Sequence, residues 1–433
     1  MTLSASTFPL QGRRALGVFV CFAAAYLMSY ALRSVNAVVG PELMQELALS
    51  NADLGMLSAA YFVGFACMQL PLGVWLDQYG ARRTEAALLA VGVLGCMLFA
   101  SSHSLLGLWL GRALIGVGVS SCLMAAYKAY RLWFPLALQS GLASSMLVAG
   151  TSGALCATVP VTAALPFLGW RGLFYLAAAI LALLTLILWF TLRPVEQAYA
   201  NTVSNKEVAS TTPTSFLASL AGYGGIFSDP YFRRLGVLGL VNQGIFVALQ
   251  TLWAGPWMMT VLQLSKQSTS QILFVLNFTL LCGYLALAWI APRYIKSGRE
   301  QGWAVESVVS WGLTAAIGVQ IIIIFCAASW AWIWWPVLAM FVTVAALVQT
   351  HLSLSFPPAL AGRSNTAYNL LMFIGAFAAQ AGIGYLIDMF VHFSLPAASA
   401  MRAAFAVVVV LQALALLYFC LSRARPQNEQ AVP

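Results

Sequence analysis

Two arginines lie where an apolar chain has little reason to hold a charge. Arg33 sits in the run Tyr30-Ala31-Leu32-Arg33-Ser34-Val35-Asn36, and Arg112 in Gly111-Arg112-Ala113-Leu114-Ile115-Gly116-Val117-Gly118. A guanidinium carries paired donors in a planar fork that matches two oxygens of a carboxylate or a phosphate. Tyr30 shares a helix face with Arg33, and Asn36 continues that stripe. Arg33 lies seven residues before Gly40, and Arg112 seven after Leu105. At about 1.5 Å per residue both then sit ~10 Å below one membrane face, as a shared anion site requires. The rival reading has one arginine extend its head to the interface and the other bond backbone carbonyls.

Other polar groups supply the remaining candidates. Asn242 and Gln243 fall in the seventh apolar stretch with Trp253, and Asn277 falls in the eighth. They are candidate cavity residues; the rival reading is that buried amides bond across helices. His351, late in the tenth stretch, is the candidate proton-coupling residue, against a plain polar histidine at a helix end. The acids inform by position. Glu42, Glu46 and Asp53 fall at one face, Asp77 and Glu85 flank one loop, Glu306 begins a stretch and Asp388 ends one. None is mid-span, so the coupling ion stays open between protons and anion exchange. No nucleophile constellation, metal-ligand cluster or phosphate-binding glycine loop occurs. Neither catalysis nor a cofactor or metal is expected. The eight cysteines, all within apolar runs, read as small buried hydrophobes.

What must position these residues is a membrane bundle. The 433 residues are 61% hydrophobic and only 8% charged, against about 25% charged in soluble domains. Lipid is therefore the solvent. At about 20 residues per span the length suits twelve, read at 15–40, 53–76, 84–102, 105–132, 138–166, 172–192, 234–261, 269–292, 303–327, 330–354, 364–390 and 398–421. The polar stretch 193–233 splits the chain into a six-helix bundle over 1–192, a cytoplasmic linker and a second bundle over 234–433. With both termini cytoplasmic, sixteen Lys/Arg fall on the cytoplasmic side and only Arg171, Lys266 and Arg402 outside, as the positive-inside rule requires. The net charge of +9 thus faces anionic lipid rather than nucleic acid. Trp133-Phe134-Pro135 and Ser355-Phe356-Pro357 recur at the same place in each half, the mark of distant parallel repeats. The tryptophans of Trp330-Ala331-Trp332-Ile333-Trp334-Trp335 read as an interfacial belt.

The loop after the second span is Gly73-Val74-Trp75-Leu76-Asp77-Gln78-Tyr79-Gly80-Ala81-Arg82-Arg83. Gly73 would let two helices approach closely, Gly80 permits a tight turn, and Asp77 can meet the positive end of another helix. The run resembles the signature loop of the major facilitator superfamily, matching at Gly73, Asp77, Gly80, Arg82 and Arg83 and departing at Gln78. The resemblance implies a twelve-helix fold, a monomer and a latch between Asp77 and the eleventh helix. The Arg112 motif, the exit Lys128…Arg131-Leu132-Trp133-Phe134-Pro135 and the Arg33 region resemble anion:cation symporters of that superfamily. Those often carry an acid before the first arginine and another after the fourth-helix motif. Here Leu32 and Val119 stand there.

The expectation is thus a secondary transporter for a small organic anion, with protons as a candidate co-substrate and lipid as surroundings. Its expected place is a plasma membrane, the inner membrane of a bacterium. An exporter of drugs or siderophores is the alternative, although Pro160 is misplaced for a fifth-helix Gly-x-x-x-Gly-Pro motif. A non-transporting sensor is the third reading, weakened by the lack of an appended soluble domain.

Overall fold

In the computed structural model of this protein the described residues are 10, 12–204, 223–296, 303–356 and 358–422. Part of the expected linker, Pro357, and the basic residues Lys206, Arg299, Arg423 and Arg425 lie outside them. Among the described residues the regular structure is helical apart from a two-residue parallel pairing of Ile295–Lys296 with Trp303–Ala304. Among the described residues ten helices are long and apolar enough to cross a membrane. Phe167, Trp311 and Phe325 are more than three-quarters exposed on the outside of the bundle. Such a surface suits lipid and not water.

The helices are α1 (Gly12–Ser34), α2 (Asn36–Leu47), α3 (Asn51–Ser101), α4 (Leu105–Gly118), α5 (Cys122–Trp133), α6 (Leu136–Cys156) and α7 (Val159–Ser204). They continue as α8 (Pro230–Thr260), α9 (Lys266–Tyr294), α10 (Val305–Phe325), α11 (Ser329–Gln349), α12 (Pro358–His392) and α13 (Ala397–Leu421). Local chemistry sets several ends. Ser50 and Asp53 form a reciprocal capping box that starts α3. Asp229 accepts the Phe232 N–H at 2.8 Å, and Pro230 follows at a position where no N–H is needed. Hence α8 begins four residues before the expected span and takes in Arg233, which the apolar window left out. Likewise α7 runs to Ser204, past the expected boundary at 192.

At 51 residues α3 would be ~75 Å long if straight, far beyond a ~30 Å hydrocarbon core. Gly80, at φ +78° and ψ 170°, breaks it into two arms. Gly169, at φ +60°, breaks α7 in the same way. These two positions need a residue without a β-carbon.

Packing between α3 and α4 is close enough to exclude any side chain at two glycines. A β-carbon on Gly64 would lie 2.0 Å from the Ala113 carbonyl oxygen, and one on Gly116 2.0 Å from that of Tyr61. This is the small-residue contact that brings membrane helices to backbone distance. The cysteines divide: Cys21, Cys96 and Cys122 are buried, but Cys67, Cys156, Cys282 and Cys420 are exposed. An apolar run is covered on one face only, so the other face meets lipid. The tryptophan run divides too, with Trp330 exposed and Trp335 packed on Trp257 and Phe405.

Candidate functional site

Arg33 lies in an aromatic box. Its guanidinium carbon is 4.5 Å from the centre of the Tyr30 ring, 5.7 Å from Tyr61, 5.4 Å from Phe65 and 5.4 Å from Phe373. The side chain is 9% exposed, its Nε has no hydrogen-bond partner, and no carboxylate reaches it among the described residues. Ring faces attract a cation, but they accept no strong hydrogen bond from its fork. The box joins distant parts of the chain: Tyr30 on α1, Tyr61 and Phe65 on α3, Phe373 on α12.

Arg112 is 1% exposed, and its Nη1 donates to the Leu32 carbonyl at 2.8 Å. The two arginines are therefore level with each other, flanking Tyr61, whose ring centre lies 5.5 Å from the Arg112 guanidinium carbon. They are not equivalent, however. Arg112 has already committed a donor to the backbone beside Arg33, whereas the Arg33 Nε has no partner and Tyr61 is the polar side chain its guanidinium meets. The helical path continues through Val35 to Leu47, so Arg33 lies fourteen residues from that helix end.

The other candidates separate from this box. Asn36 donates to the Ser58 hydroxyl at 2.8 Å instead of extending the Arg33 stripe. Asn242 is buried and its amide points to the Gln412 carbonyl at 3.4 Å. Gln243 accepts the Tyr368 hydroxyl at 2.9 Å, and Asn277 accepts from Gln250 at 2.7 Å. Trp253 is fully buried and donates to the Gln380 carbonyl at 3.2 Å. His351 stacks edge-on to Tyr231, which bonds Glu306 at 3.1 Å beside Arg234. Sequence reasoning missed Tyr61, Phe65 and Phe373. The four-residue spacing of Tyr61 and Phe65 on one helix face was a usable signal; Phe373 carried none. A crevice of about 380 Å³ between α7 and α9, lined by Thr162, Pro166, Lys266 and Gln271, includes none of the expected residues.

The two ends of the bundle differ. At one end Asp388 of α12 accepts from the Ala52 N–H at 2.6 Å, the Asn51 N–H at 3.3 Å and the Asn51 amide at 2.9 Å. A carboxylate there meets the free donors of the α3 N-terminus. Lys266 pairs with Glu42 and Arg171 with Glu46 at this end. At the other end Asp77 pairs with Lys128 at 2.5 Å and is 81% exposed. Among the described residues its ion-pair partner is Lys128 and not a group of α12. A β-carbon on Gly73 would meet nothing within 4 Å, so its expected close approach is absent here. Beyond the loop, Arg82 pairs with Glu196 at 2.5 Å and stacks on Trp189, while Arg83 is exposed.

The sequence profile of the Major Facilitator Superfamily matches residues 22–380. The chain belongs to that superfamily: it is a multi-pass membrane transporter and not an enzyme. It is 22% identical over 319 residues to the uncharacterized transporter YybO of Bacillus subtilis (strain 168), covering 66% of this chain and 67% of that one. The probable L-galactonate transporter of Escherichia coli (strain K12) is 24% identical over 288 residues, 63% and 61% of the two chains. The hexuronate transporter of Escherichia coli (strain K12) is 27% identical over 154 residues, 36% of each. The chain thus spans from about a third to two thirds of these relatives' lengths. Among solved structures, a bacterial homologue of the human lysosomal transporter Spinster aligns with a TM-score of 0.74 at 17% identity, covering 96% of this chain and 98% of that one. A D-xylose–proton symporter aligns at 0.71 and 14%, covering 97% and 100%. These two likenesses concern the fold.

Proposed function

We propose that the chain is a secondary carrier for a small organic anion, and that Arg33 binds the anion. The observation that carries this reading is a buried guanidinium with no carboxylate partner, boxed by rings from α1, α3 and α12. Such a charge is costly within a membrane unless a partner arrives, and an anionic solute is the partner that fits. Arg112 acts through position, holding the Leu32 carbonyl and with it the turn that presents Arg33. Relatives named for galactonate and hexuronate, both carboxylates, support the same class of solute. Counterflow of labelled L-galactonate and hexuronates in proteoliposomes tests the reading. Exchange by the wild type is expected, and none with any carboxylate would overturn it.

In this reading the breaks at Gly80 and Gly169 are loops between spans, and α6 with the start of α7 forms the fifth span. The count is then twelve, as six and six about the segment after Ser204, with a monomer as the working unit. The basic Asp77 end and both termini are cytoplasmic, in a bacterial inner membrane. The Asp388 end is outside and closed, and the solute path opens inward. Alternating access exchanges the Asp388 contact for one at Asp77.

Two predictions follow from that exchange. Asp388→Ala removes a charged acceptor worth about 1.5–3 kcal/mol, so the closed outer end should lose population roughly tenfold or more. Spin-label distances across that end should lengthen; unchanged distances would remove Asp388 as a latch. Gly73→Phe should leave the present arrangement intact, because a side chain there meets nothing. It should block closure of the Asp77 end, so that solute still binds while exchange stops. Normal exchange by Gly73→Phe would show that no helix closes on this surface.

A further inference from the structure

The sequence places no acid in mid-span, yet the fold buries one. Glu85, on the second arm of α3, is 0% exposed, and no N–H or O–H donor reaches either of its carboxylate oxygens; the weak Cys122 S–H lies against it. The titratable groups facing it are the Cys21 thiol from α1 and the Cys122 thiol and Tyr130 hydroxyl from α5. The Tyr130 hydroxyl is turned to the Met146 sulfur at 3.3 Å, and Cys21 lies against Thr191 of α7. Arg82, one turn back on α3, is held by Glu196 of α7. Arg33 reaches Cys122 electrostatically but forms no ion pair with Glu85. Among the described residues, then, no cation and no strong donor compensates this carboxylate. An ionised carboxylate so placed is far costlier than the neutral acid.

A second observation lies beside it. Between α4 and α5 the helix is interrupted at Val119–Ser121. Ser120 N–H bonds the Val117 carbonyl at 3.3 Å, and Cys122 N–H bonds that of Val119 at 3.5 Å, a tightened three-residue spacing. The Ser121 hydroxyl is buried without a partner. Tightened turns within a long helix often mark hinges. This one separates Arg112, which holds the backbone next to Arg33, from Lys128, which holds Asp77. Glu85 touches the first residue after it, Cys122.

We propose that Glu85 is a proton-binding site that couples its protonation to bending of the α4–α5 hinge. Glu85 carries its proton in the arrangement described here. Release of that proton to water leaves a carboxylate that the dry pocket does not tolerate, so the hinge moves to admit water or a donor. The same helix then shifts Arg112 at one end and Lys128 at the other. This inference rests on the chain being a carrier, but its primary test does not require the solute.

Infrared spectra of the reconstituted full-length protein read the carboxyl directly. The wild type at pH 7 should show a protonated-carboxyl band that Glu85→Gln lacks and that disappears as pH rises. Accessibility of a thiol placed by Gly73→Cys, with Cys67, Cys156, Cys282 and Cys420 changed to Ser, should change with the same pH midpoint. It should lose that pH dependence when Glu85→Gln is added. A carboxyl with a purely structural role would leave the thiol's pH response unmoved. No Glu85-dependent band, or an unchanged pH response in Glu85→Gln, overturns the proposal. Should Glu85→Gln not reach the membrane, Glu85→Asp serves instead: the band and the thiol midpoint should shift together, and an unmoved midpoint counts against the coupling. Absence of carboxylate counterflow in the wild type would overturn the anion-carrier reading and leave the infrared result standing.

Discussion

Arg33→Ala should abolish exchange of the carried anion while the protein still reaches the membrane in normal amount. A hydrogen bond to a charged group contributes about 1.5–3 kcal/mol, and a guanidinium offers two to one carboxylate. A loss of ~3 kcal/mol weakens apparent affinity about a hundredfold. Among the described residues no carboxylate or backbone carbonyl depends on Arg33 for a donor, so stability should hold better than in Arg112→Ala. Arg33→Lys should recover part of the binding: the charge remains, but the planar fork and its stacking between rings are lost. Arg112→Ala should behave differently. It strips the Leu32 carbonyl of its donor, so the amount of folded protein should fall along with transport. Thermal stability of the two variants, measured beside counterflow, separates their roles. Equal loss of stability in both, with binding intact in Arg33→Ala, would move the anion site elsewhere.

Gly116→Val should prevent the carrier from assembling. The first added carbon alone would sit 2.0 Å from the Tyr61 carbonyl oxygen. Backbone, unlike a flexible side chain, cannot step aside without moving α3 against α4. Overpacking of a core typically costs about 1–3 kcal/mol, and here whole helices must separate. Tyr61 belongs to the Arg33 box, so even a protein that inserts should bind poorly. Gly141→Ala is the control, since a β-carbon there meets nothing within 4 Å. Size-exclusion profiles of both variants in mild detergent check this; a monodisperse Gly116→Val would show that the contact yields.

Much of the architecture was legible because the membrane constrains a chain residue by residue. Each spanning helix must be apolar along about 20 residues and must satisfy its own backbone bonds, so helices appear in composition alone. The loop from Gly73 to Arg83 was legible because a turn needs Gly80 whatever surrounds it. Arg33 and Arg112 stood out because charge is rare in such runs. Element ends were less legible. Asp229 and Pro230 start α8 through capping chemistry that hydropathy does not register. The segment 193–204 continues as helix despite its polarity.

Contacts between distant segments were not legible. Which arginine is bonded and which is open depends on where α1 and α4 meet, and the Leu32 carbonyl has the same sequence signature either way. Phe373 is one apolar residue among many until α12 crosses α3. Asp388 read as the end of a span, and only the approach of Asn51 and Ala52 makes it an acceptor for a helix terminus. Glu85 read as a loop-flanking acid, since solvation is a property of the neighbours and not of the residue. By itself the sequence determined the solvent, the helical class and the superfamily, because these follow from local composition and short motifs. The tertiary structure decided which charges have partners, because contacts such as that of Asp388 with Asn51 and Ala52 join helix faces more than three hundred residues apart in sequence.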